Sequence, residues 1–195
     1  MLQDKLKNHR LILASGSPRR KQLLQEMGLE FEVRLKSVDE VYPDTLRGYA
    51  ISDYLAELKA SAFKNDLTSR NILITSDTVV WHDGRSLAKP ADAGEAIAML
   101  KTLSDSWHEV ITSVCFTTPD LQKTVNRTTR VKFKNLTDEE IRYYVNNLRP
   151  FDKAGAYGIQ EWVGLIAIER IEGSYHNVVG LPTQLVYETL HSLLE

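Results

Sequence analysis

The sequence predicts an α/β fold in a single domain over residues 1–195, with two lobes around a cleft. Short apolar runs typical of strands alternate with stretches whose apolar residues recur at helical spacing, which favours this class. The chain is 43% hydrophobic and 26% charged, as in ordinary globular proteins, and its 195 residues can bury one sizeable core. No repeat, low-complexity tract or linker divides it.

The first half of the chain is expected to hold three strands and two helices. The strands are Leu11–Ala14, Phe31–Leu35 and Asn71–Val80, and the helices are Pro18–Met27 and Ser52–Phe63. Proline is favoured at the first helical position because its missing N–H costs nothing there, and Ser17 before it can cap the helix. A polar loop, Lys36–Gly48, follows the second strand.

Two capping boxes mark helix starts in the second half. Asp92 with Glu95, and Thr137 with Glu140, have the three-residue spacing of this motif. A helix is expected after Asp92, followed by a hairpin of Val110–Thr117 and Thr124–Phe133 with its turn at Pro119-Asp120. The remaining elements expected are a helix Asp138–Leu148, a strand Trp162–Arg170 and a helix Pro182–Leu193.

Composition excludes several classes of function. A net charge of −2 argues against non-specific nucleic-acid binding, which needs a basic face. No apolar stretch approaches the ~20 residues that cross a membrane, and the first ten residues lack the apolar core of a signal peptide, so we expect a cytoplasmic protein. Cys115 is the single cysteine, which excludes intramolecular disulfides and cysteine-based zinc sites.

The turn from Ser15 to Arg20 is the first candidate binding element. An apolar strand runs into Ser15-Gly16-Ser17-Pro18-Arg19-Arg20, where a helix begins. Helix N-termini attract anions, and hydroxyl and guanidinium groups add donors for phosphate oxygens. The pattern therefore indicates a polyphosphate site; the alternative is a well-capped helix with solvated arginines.

Asp77 is the strongest candidate for catalysis. It interrupts an apolar run that should be buried, and carboxylates are rarely buried without a partner. At a strand's end it could hold a divalent metal or act as a general base on water, or it could simply cap the turn. Glu40, beside Asp39 in the loop after the second strand, could complete a metal site or be merely solvated.

Two lysines and one glycine-containing segment are weaker candidates. Lys89 before Pro90 is a plausible phosphate contact, although most lysines are simply solvated. Lys59 lies midway along the second helix, and its position can be explained by a side chain that extends along the surface to keep its ammonium in water. In the segment 151–160 two glycines let the backbone approach a ligand, and Gln160 could read a base edge. The segment matches neither the dinucleotide nor the P-loop pattern. A lone histidine, His176, could be a base but is more often structural.

Taken together, these segments resemble the Maf family of nucleoside triphosphate pyrophosphatases. They occur in the family's order and span nearly the entire chain. The matches are Ala14 to Arg20, Val38-Asp39-Glu40, Ser76 to Val80, Lys89-Pro90, Asp152 to Gln160, Gly173-Ser174-Tyr175 and Val179 to Pro182.

The resemblance implies a fold, a reaction and a site. The fold is a mixed, elongated, twisted sheet with flanking helices, like that of inosine-triphosphate pyrophosphatases. The reaction is cleavage between the α- and β-phosphates with a divalent cation, Mg²⁺ or Mn²⁺, held by Glu40 and Asp77. Asp77 matches the family's proton acceptor. The positions for phosphate contacts are Ser15, Ser17, Arg20, Lys59 and Lys89.

Three positions indicate the subfamily. Members selective for dTTP and UTP carry arginine, threonine and glutamine where this chain has Arg19, Thr78 and Gln160, whereas those acting on 7-methyl-GTP carry tryptophan, glutamine and glutamate. A glutamine amide can pair with the donor–acceptor edge of uracil or thymine. Departures from the family pattern, such as Ser76 for alanine and Arg149 for glutamate, do not touch these residues.

The expected function is hydrolysis of dTTP and UTP, and of modified pyrimidine nucleotides as a possible extension, in a house-cleaning role. The expected partner is the nucleotide, with no nucleic acid and no membrane, and the resemblance admits a homodimer. The alternative is a nucleotide-binding regulator of cell division and septum formation that does not turn its ligand over. That alternative predicts nucleotide binding that survives the loss of Asp77.

Overall fold

The computed structural model describes all 195 residues and contains one seven-stranded mixed sheet flanked by helices. The helices are α1 Leu2–Leu6, α2 Pro18–Glu26, α3 Tyr49–Ser61, α4 Ala93–Leu103, α5 Asp138–Leu148, α6 Trp162–Ala167, α7 Tyr175–Val179 and α8 Thr183–Leu193. The strands are β1 Arg10–Leu13, β2 Glu32–Val33, β3 Asn71–His82, β4 Arg85–Leu87, β5 Trp107–Thr117, β6 Gln122–Phe133 and β7 Ile168–Glu172. The expected α/β class with a mixed sheet is confirmed.

The sheet is parallel at one edge and antiparallel over the rest. Its order is β2-β1-β3-β5-β6-β7, and β1 runs parallel to both β2 and β3. The pairs from β3 through β5 and β6 to β7 are antiparallel, as is the short strand β4 against the end of β3. The long β5–β6 hairpin confirms the expected turn near Pro119-Asp120.

A gap in the pairing of β3 fixes the position of the cleft. β5 pairs with β3 from Leu73 to Trp81, whereas on the opposite side β1 pairs only with residues 71–74 and β4 only with residues 80–82. Residues 75–79 therefore have a strand neighbour on one side alone. Asp77 lies in this stretch, within β3, in agreement with the predicted strand Asn71–Val80. The alternative in which Asp77 ends the strand and caps a turn is wrong. It lies past the end of β1, whose last residue, Leu13, pairs with Ile74.

Of two further predicted strands, one is wrong and the other is shorter in the structure than expected. Trp162–Arg170 is not one strand: residues 162–167 form α6, and β7 begins at Ile168. The apolar run fits either state, and Gly164 permits the helix because a Cβ there would lie 1.7 Å from the Ile159 carbonyl oxygen. The strand expected at Phe31–Leu35 is reduced to the two exposed residues of β2, which pair with β1 alone.

The expected helix caps are confirmed by hydrogen bonds. The Ser17 hydroxyl accepts from the Arg20 N–H at 3.4 Å, and an Asp92 carboxylate oxygen accepts from the Glu95 N–H at 2.9 Å. The capping box expected at Asp92 is only half formed, because the Glu95 carboxylate accepts from the Ala91 N–H instead. Thr137 forms the full capping box with its partner three residues on. The caps satisfy N–H groups that the first helical turn leaves unpaired.

The hydrophobic core consists of two larger clusters and two smaller ones. An 18-residue cluster packs α4, α5 and α6 against β5 and β6, and a 13-residue cluster packs α2 and α8 against β1 and the first half of β3. Cys115 is fully buried in a smaller cluster under α3, as expected. No helix has the length and apolar character needed to cross a membrane.

Candidate active site

A cleft of about 720 Å³ opens at the gap beside β3. Its walls come from the turn before α2, the loop before α3, α3 itself, β3 and β4, and the segment 152–160. This volume lies within the range of small-molecule sites. All ten residues proposed from the sequence line it: Ser15, Ser17, Arg19, Arg20, Glu40, Lys59, Asp77, Thr78, Lys89 and Gln160.

The cleft is locally basic, although the whole chain carries a net charge of −2. Six lysine or arginine side chains line it against three carboxylates. The cations are Arg19, Arg20, Lys36, Lys59, Lys89 and Lys153, and the carboxylates are Glu40, Asp77 and Asp152. A cleft with this balance attracts polyanions, because enclosed walls concentrate the field of its charges.

Asp77 lies at the floor of the cleft and is 7% exposed. Its carboxylate oxygen Oδ1 accepts a hydrogen bond from the Lys59 ammonium at 2.6 Å, and the same ammonium lies 3.1 Å from Glu40 Oε1. Burial raises the pKa of the Asp77 carboxyl, whereas the Lys59 ammonium acts in the opposite direction. A carboxylate with a raised pKa is suited to accept a proton near neutral pH.

Arg20 is tied to the protein by four of its five N–H donors. Nε donates to the Gly180 carbonyl at 2.9 Å, Nη1 to the Ser76 carbonyl at 2.9 Å and to Ser15 Oγ at 3.3 Å, and Nη2 to Thr78 Oγ1 at 3.0 Å. The Ser76 carbonyl lies in the unpaired stretch of β3, so this guanidinium fills part of the gap left by β1. Arg20 thereby fixes α2 against β3 and the end of α7.

The three subfamily positions occupy different parts of the cleft. Thr78 contacts Arg20 and also lies 3.0 Å from Thr112 Oγ1, so its hydroxyl is engaged within the protein. Arg19 contacts Asp152 Oδ2 at 3.3 Å, and Gln160 is exposed at the other end of the segment 152–160. Lys89 is likewise exposed. His176 lies on α7 and does not line the cleft.

Ion pairs that no sequence motif predicts hold the segment 152–160. Lys153 is buried and contacts both Asp152 and Glu161, and the Arg19–Asp152 pair joins residues 133 positions apart. Neither Glu161 nor its partner Tyr144 was expected near the site. Lys153 and Asp152 are neighbours in the sequence, but the Arg19–Asp152 contact forms only in the folded chain, so no local pattern predicts it.

The fold and cleft define a class of protein: a mixed α/β protein with one basic, nucleotide-sized cleft beside a buried carboxylate. A family model described as "Maf-like protein" matches residues 10–193, and the chain belongs to this family.

Curated relatives align over the full chain. It is 53% identical over 194 residues to the dTTP/UTP pyrophosphatase of Flavobacterium johnsoniae, covering 100% of both chains. It is 54% identical over 194 residues to the dTTP/UTP pyrophosphatase of Christiangramia forsetii, covering 100% of this chain and 99% of the relative.

Among solved structures, the chain is similar to a nucleoside-triphosphatase / dITP/XTP pyrophosphatase from Mycobacterium abscessus. The TM-score is 0.42 at 14% identity, covering 94% of this chain and 96% of the other. The Staphylococcus aureus Ham1 protein gives a TM-score of 0.45 at 17% identity, covering 94% of this chain and 99% of the other.

Proposed function

We propose that this chain hydrolyses dTTP and UTP in the cleft, giving the nucleoside monophosphate and pyrophosphate. The observation that carries the proposal is the position of Asp77, buried beside Lys59 and Glu40 at the floor of a basic cleft. The printed names of relatives at 53% and 54% identity over the full chain support the same reaction.

The cations of the cleft would hold the triphosphate. The turn Ser15–Arg20 presents the N-terminus of α2, and Lys89 lies exposed on the opposite side beside β4. Lys59 is already paired with two carboxylates, so it would serve both them and the incoming phosphates. Four N–H donors of Arg20 are already bound to protein acceptors. Arg20 would therefore contribute to phosphate binding by holding the Ser15–Arg20 turn in place and by its positive charge.

Asp77 would act on the attacking water. No histidine lines the cleft, and its third carboxylate, Asp152, is paired with Arg19 and Lys153. The candidates for a general base are therefore Asp77 and Glu40, and Asp77 is the more deeply buried of the two. The water oxygen forms a bond to the α-phosphorus and its proton passes to the Asp77 carboxylate. The bond from the α-phosphorus to the bridging oxygen breaks, and pyrophosphate leaves with that oxygen.

Glu40 and Asp77 fit a divalent cation in part. Both carboxylates contact one ammonium, so their oxygens converge on a single region of the cleft. No group of three or more histidine, cysteine, aspartate or glutamate side chains forms a complete cage. Two carboxylates with substrate phosphates are a usual environment for Mg²⁺, and Mn²⁺ accepts the same ligands. When bound, the cation would neutralise charge on the phosphates; Asp77 would then orient the water if it is engaged as a ligand.

The choice of base would depend on the segment 152–160, which carries Gln160. Gln160 is exposed to the cleft, where its amide can offer a donor and an acceptor to uracil or thymine. Arg19 contacts Asp152, which belongs to the same segment as Gln160. Thr78 would affect base choice indirectly, because its hydroxyl accepts a hydrogen bond from Arg20. Modified pyrimidine nucleotides that keep the same donor–acceptor edge are proposed as further substrates.

A nucleotide panel tests the reaction and the base choice together. Pyrophosphate and orthophosphate are measured separately for dTTP, UTP, CTP, dATP and GTP with Mg²⁺ or Mn²⁺. The expected result is pyrophosphate alone, fastest from dTTP and UTP. Orthophosphate release, or equal rates for every base, would contradict the proposal. Nucleotide binding without any product would favour the alternative, a regulator of cell division without turnover.

Several properties stay predictions from the sequence. They are the cytoplasmic location, the homodimer, the absence of nucleic-acid partners and the house-cleaning role.

A further inference from the structure

Lys153 is a buried lysine that the reaction does not use. Its side chain is 9% exposed, and its ammonium lies 2.6 Å from Asp152 Oδ1 and 2.8 Å from Glu161 Oε1. A buried ammonium is costly unless it is paired and hydrogen-bonded. Both partners flank the segment that carries Gln160, so the ammonium holds the two ends of that segment together.

Through Asp152, the Lys153 ammonium is linked to Arg19 of the Ser15–Arg20 turn. Asp152 accepts from Lys153 through Oδ1 and from the Arg19 guanidinium through Oδ2, the latter at 3.3 Å. Arg19 lies on α2, 133 positions away in the sequence. The orientation of Asp152, and with it the place of Arg19, is therefore set partly by the Lys153 ammonium.

On the other side, the contact reaches Gln160. The second oxygen of Glu161 accepts from the Tyr144 hydroxyl, which in turn accepts from the Gly158 N–H at 3.1 Å. A Cβ at Gly158 would lie 3.0 Å from Gln160 Nε2, 3.0 Å from Glu161 Cδ and 3.1 Å from Lys153 Cε. The Gln160 amide therefore lies near Glu161 and near the Lys153 side chain, whose ammonium contacts Asp152.

We propose that Lys153 is a positioning residue for base selectivity, because its ammonium fixes Arg19 and Gln160 relative to each other across the cleft. The inference rests on the proposed function, since it concerns which base that reaction accepts. Lys153 acts through Asp152 and Glu161 and takes no part in breaking the anhydride bond. Its loss would widen the range of accepted bases while leaving the hydrolytic group in place.

The test compares Lys153→Met with the wild-type protein by the ratio of kcat/KM for UTP to that for GTP. Met keeps much of the side-chain length and removes the charge. We expect the ratio to fall about tenfold or more, mainly through a higher KM for UTP, as for loss of one partner of a buried charged pair. Lys153→Arg keeps the charge and is expected to recover most of the ratio.

A matched control separates selectivity from stability. Lys134→Met removes an ammonium that lies 2.7 Å from Glu140 Oε1, in a partly buried pair that does not line the cleft. It is expected to leave the UTP/GTP ratio unchanged whatever it does to the melting temperature. A purely structural role for Lys153 would lower the melting temperature and reduce activity on both nucleotides alike, which would overturn the inference.

A second variant decides the matter if Lys153→Met fails to fold. Asp152→Ala changes an exposed side chain and removes the link to Arg19. A fall of about fivefold in the UTP/GTP ratio would support the inference, and an unchanged ratio would overturn it. A wild-type protein without any preference for UTP would instead remove the proposed function itself, and the inference with it.

Discussion

His108 should make the stability of this protein depend on pH. It lies behind the segment 152–160, where its Nε2 is 2.7 Å from the Tyr157 hydroxyl. Its ring packs edge-on against Phe133 and Tyr157, with centroids 5.0 and 5.4 Å away. Burial lowers the pKa of His108 to about 3, and the neighbouring His82 acts in the same direction.

The sign and size of the effect follow from this shift. The ordinary pKa is 6.5, so between pH 6.5 and about 3 the unfolded chain binds a proton at His108 that the folded chain excludes. Stability from neutral His108 is therefore fully present above pH 6.5 and is lost as pH falls toward 3. At about 1.4 kcal/mol per pH unit, lowering the pH from about 7.5 to about 5 costs about 2 kcal/mol of unfolding free energy.

Urea unfolding at these two pH values measures the effect. His108→Gln retains a polar group near Tyr157 and removes the titration. Its unfolding free energy should fall by about 2 kcal/mol less than that of the wild type over this pH interval. The control is His191→Gln, because His191 is 42% exposed and contacts only the chain's last residue, Glu195. Identical pH dependence in the wild type and His108→Gln would refute the reasoning.

Three further predictions concern catalysis, the metal and the fold. Asp77→Asn should lower kcat for pyrophosphate release by about a hundredfold or more with little change in KM, because the proton acceptor is lost while the phosphate contacts remain. Chelation with EDTA should abolish pyrophosphate release and added Mg²⁺ or Mn²⁺ should restore it, because Glu40 and Asp77 add negative charge beside the substrate phosphates that a bound cation would neutralise. Gly155→Ala should lower the unfolding free energy by about 1–3 kcal/mol in urea titrations, because the φ of Gly155 is +67° and a Cβ would lie 3.0–3.1 Å from three atoms of Val80.

Each of these has a contrary outcome. A folded Asp77→Asn protein with near-normal turnover would exclude Asp77 as the base, and full activity in EDTA would exclude the metal. For Gly155 the control is Gly84→Ala, since Gly84 has a φ of +76° and nothing within 4 Å of its added Cβ. An equal loss in both variants would assign the effect to backbone strain alone.

The sequence identified the residues of the cleft better than their contacts. Ser17, Asp77 and Gln160 could be predicted because each breaks or ends a local pattern: a helix start, an apolar run, a glycine-containing segment. The pairing of Lys59 with Asp77 could not, because it depends on how α3 packs against β3. The interior contacts of Arg20 could not be predicted for the same reason, since its four partners come from three separate parts of the chain.

Local pattern also failed where two secondary structures suit the same residues. The run from Trp162 to Ile168 is apolar and short, and such runs fit a buried strand or a buried helix. The close approach of Gly164 to the Ile159 carbonyl is visible only once the chain is folded. The Arg19–Asp152 contact across the cleft is likewise a property of the fold, and base selectivity depends on it in our proposal.

The central claim, attack of water at the α-phosphorus in the cleft of Asp77, is tested most directly by isotope labelling. UTP is hydrolysed in ¹⁸O-labelled water with Mg²⁺, and the products are examined by mass spectrometry. The account predicts one ¹⁸O atom in UMP and none in pyrophosphate, because the bridging oxygen leaves with pyrophosphate. Label in pyrophosphate, or labelled orthophosphate as the product, would contradict it.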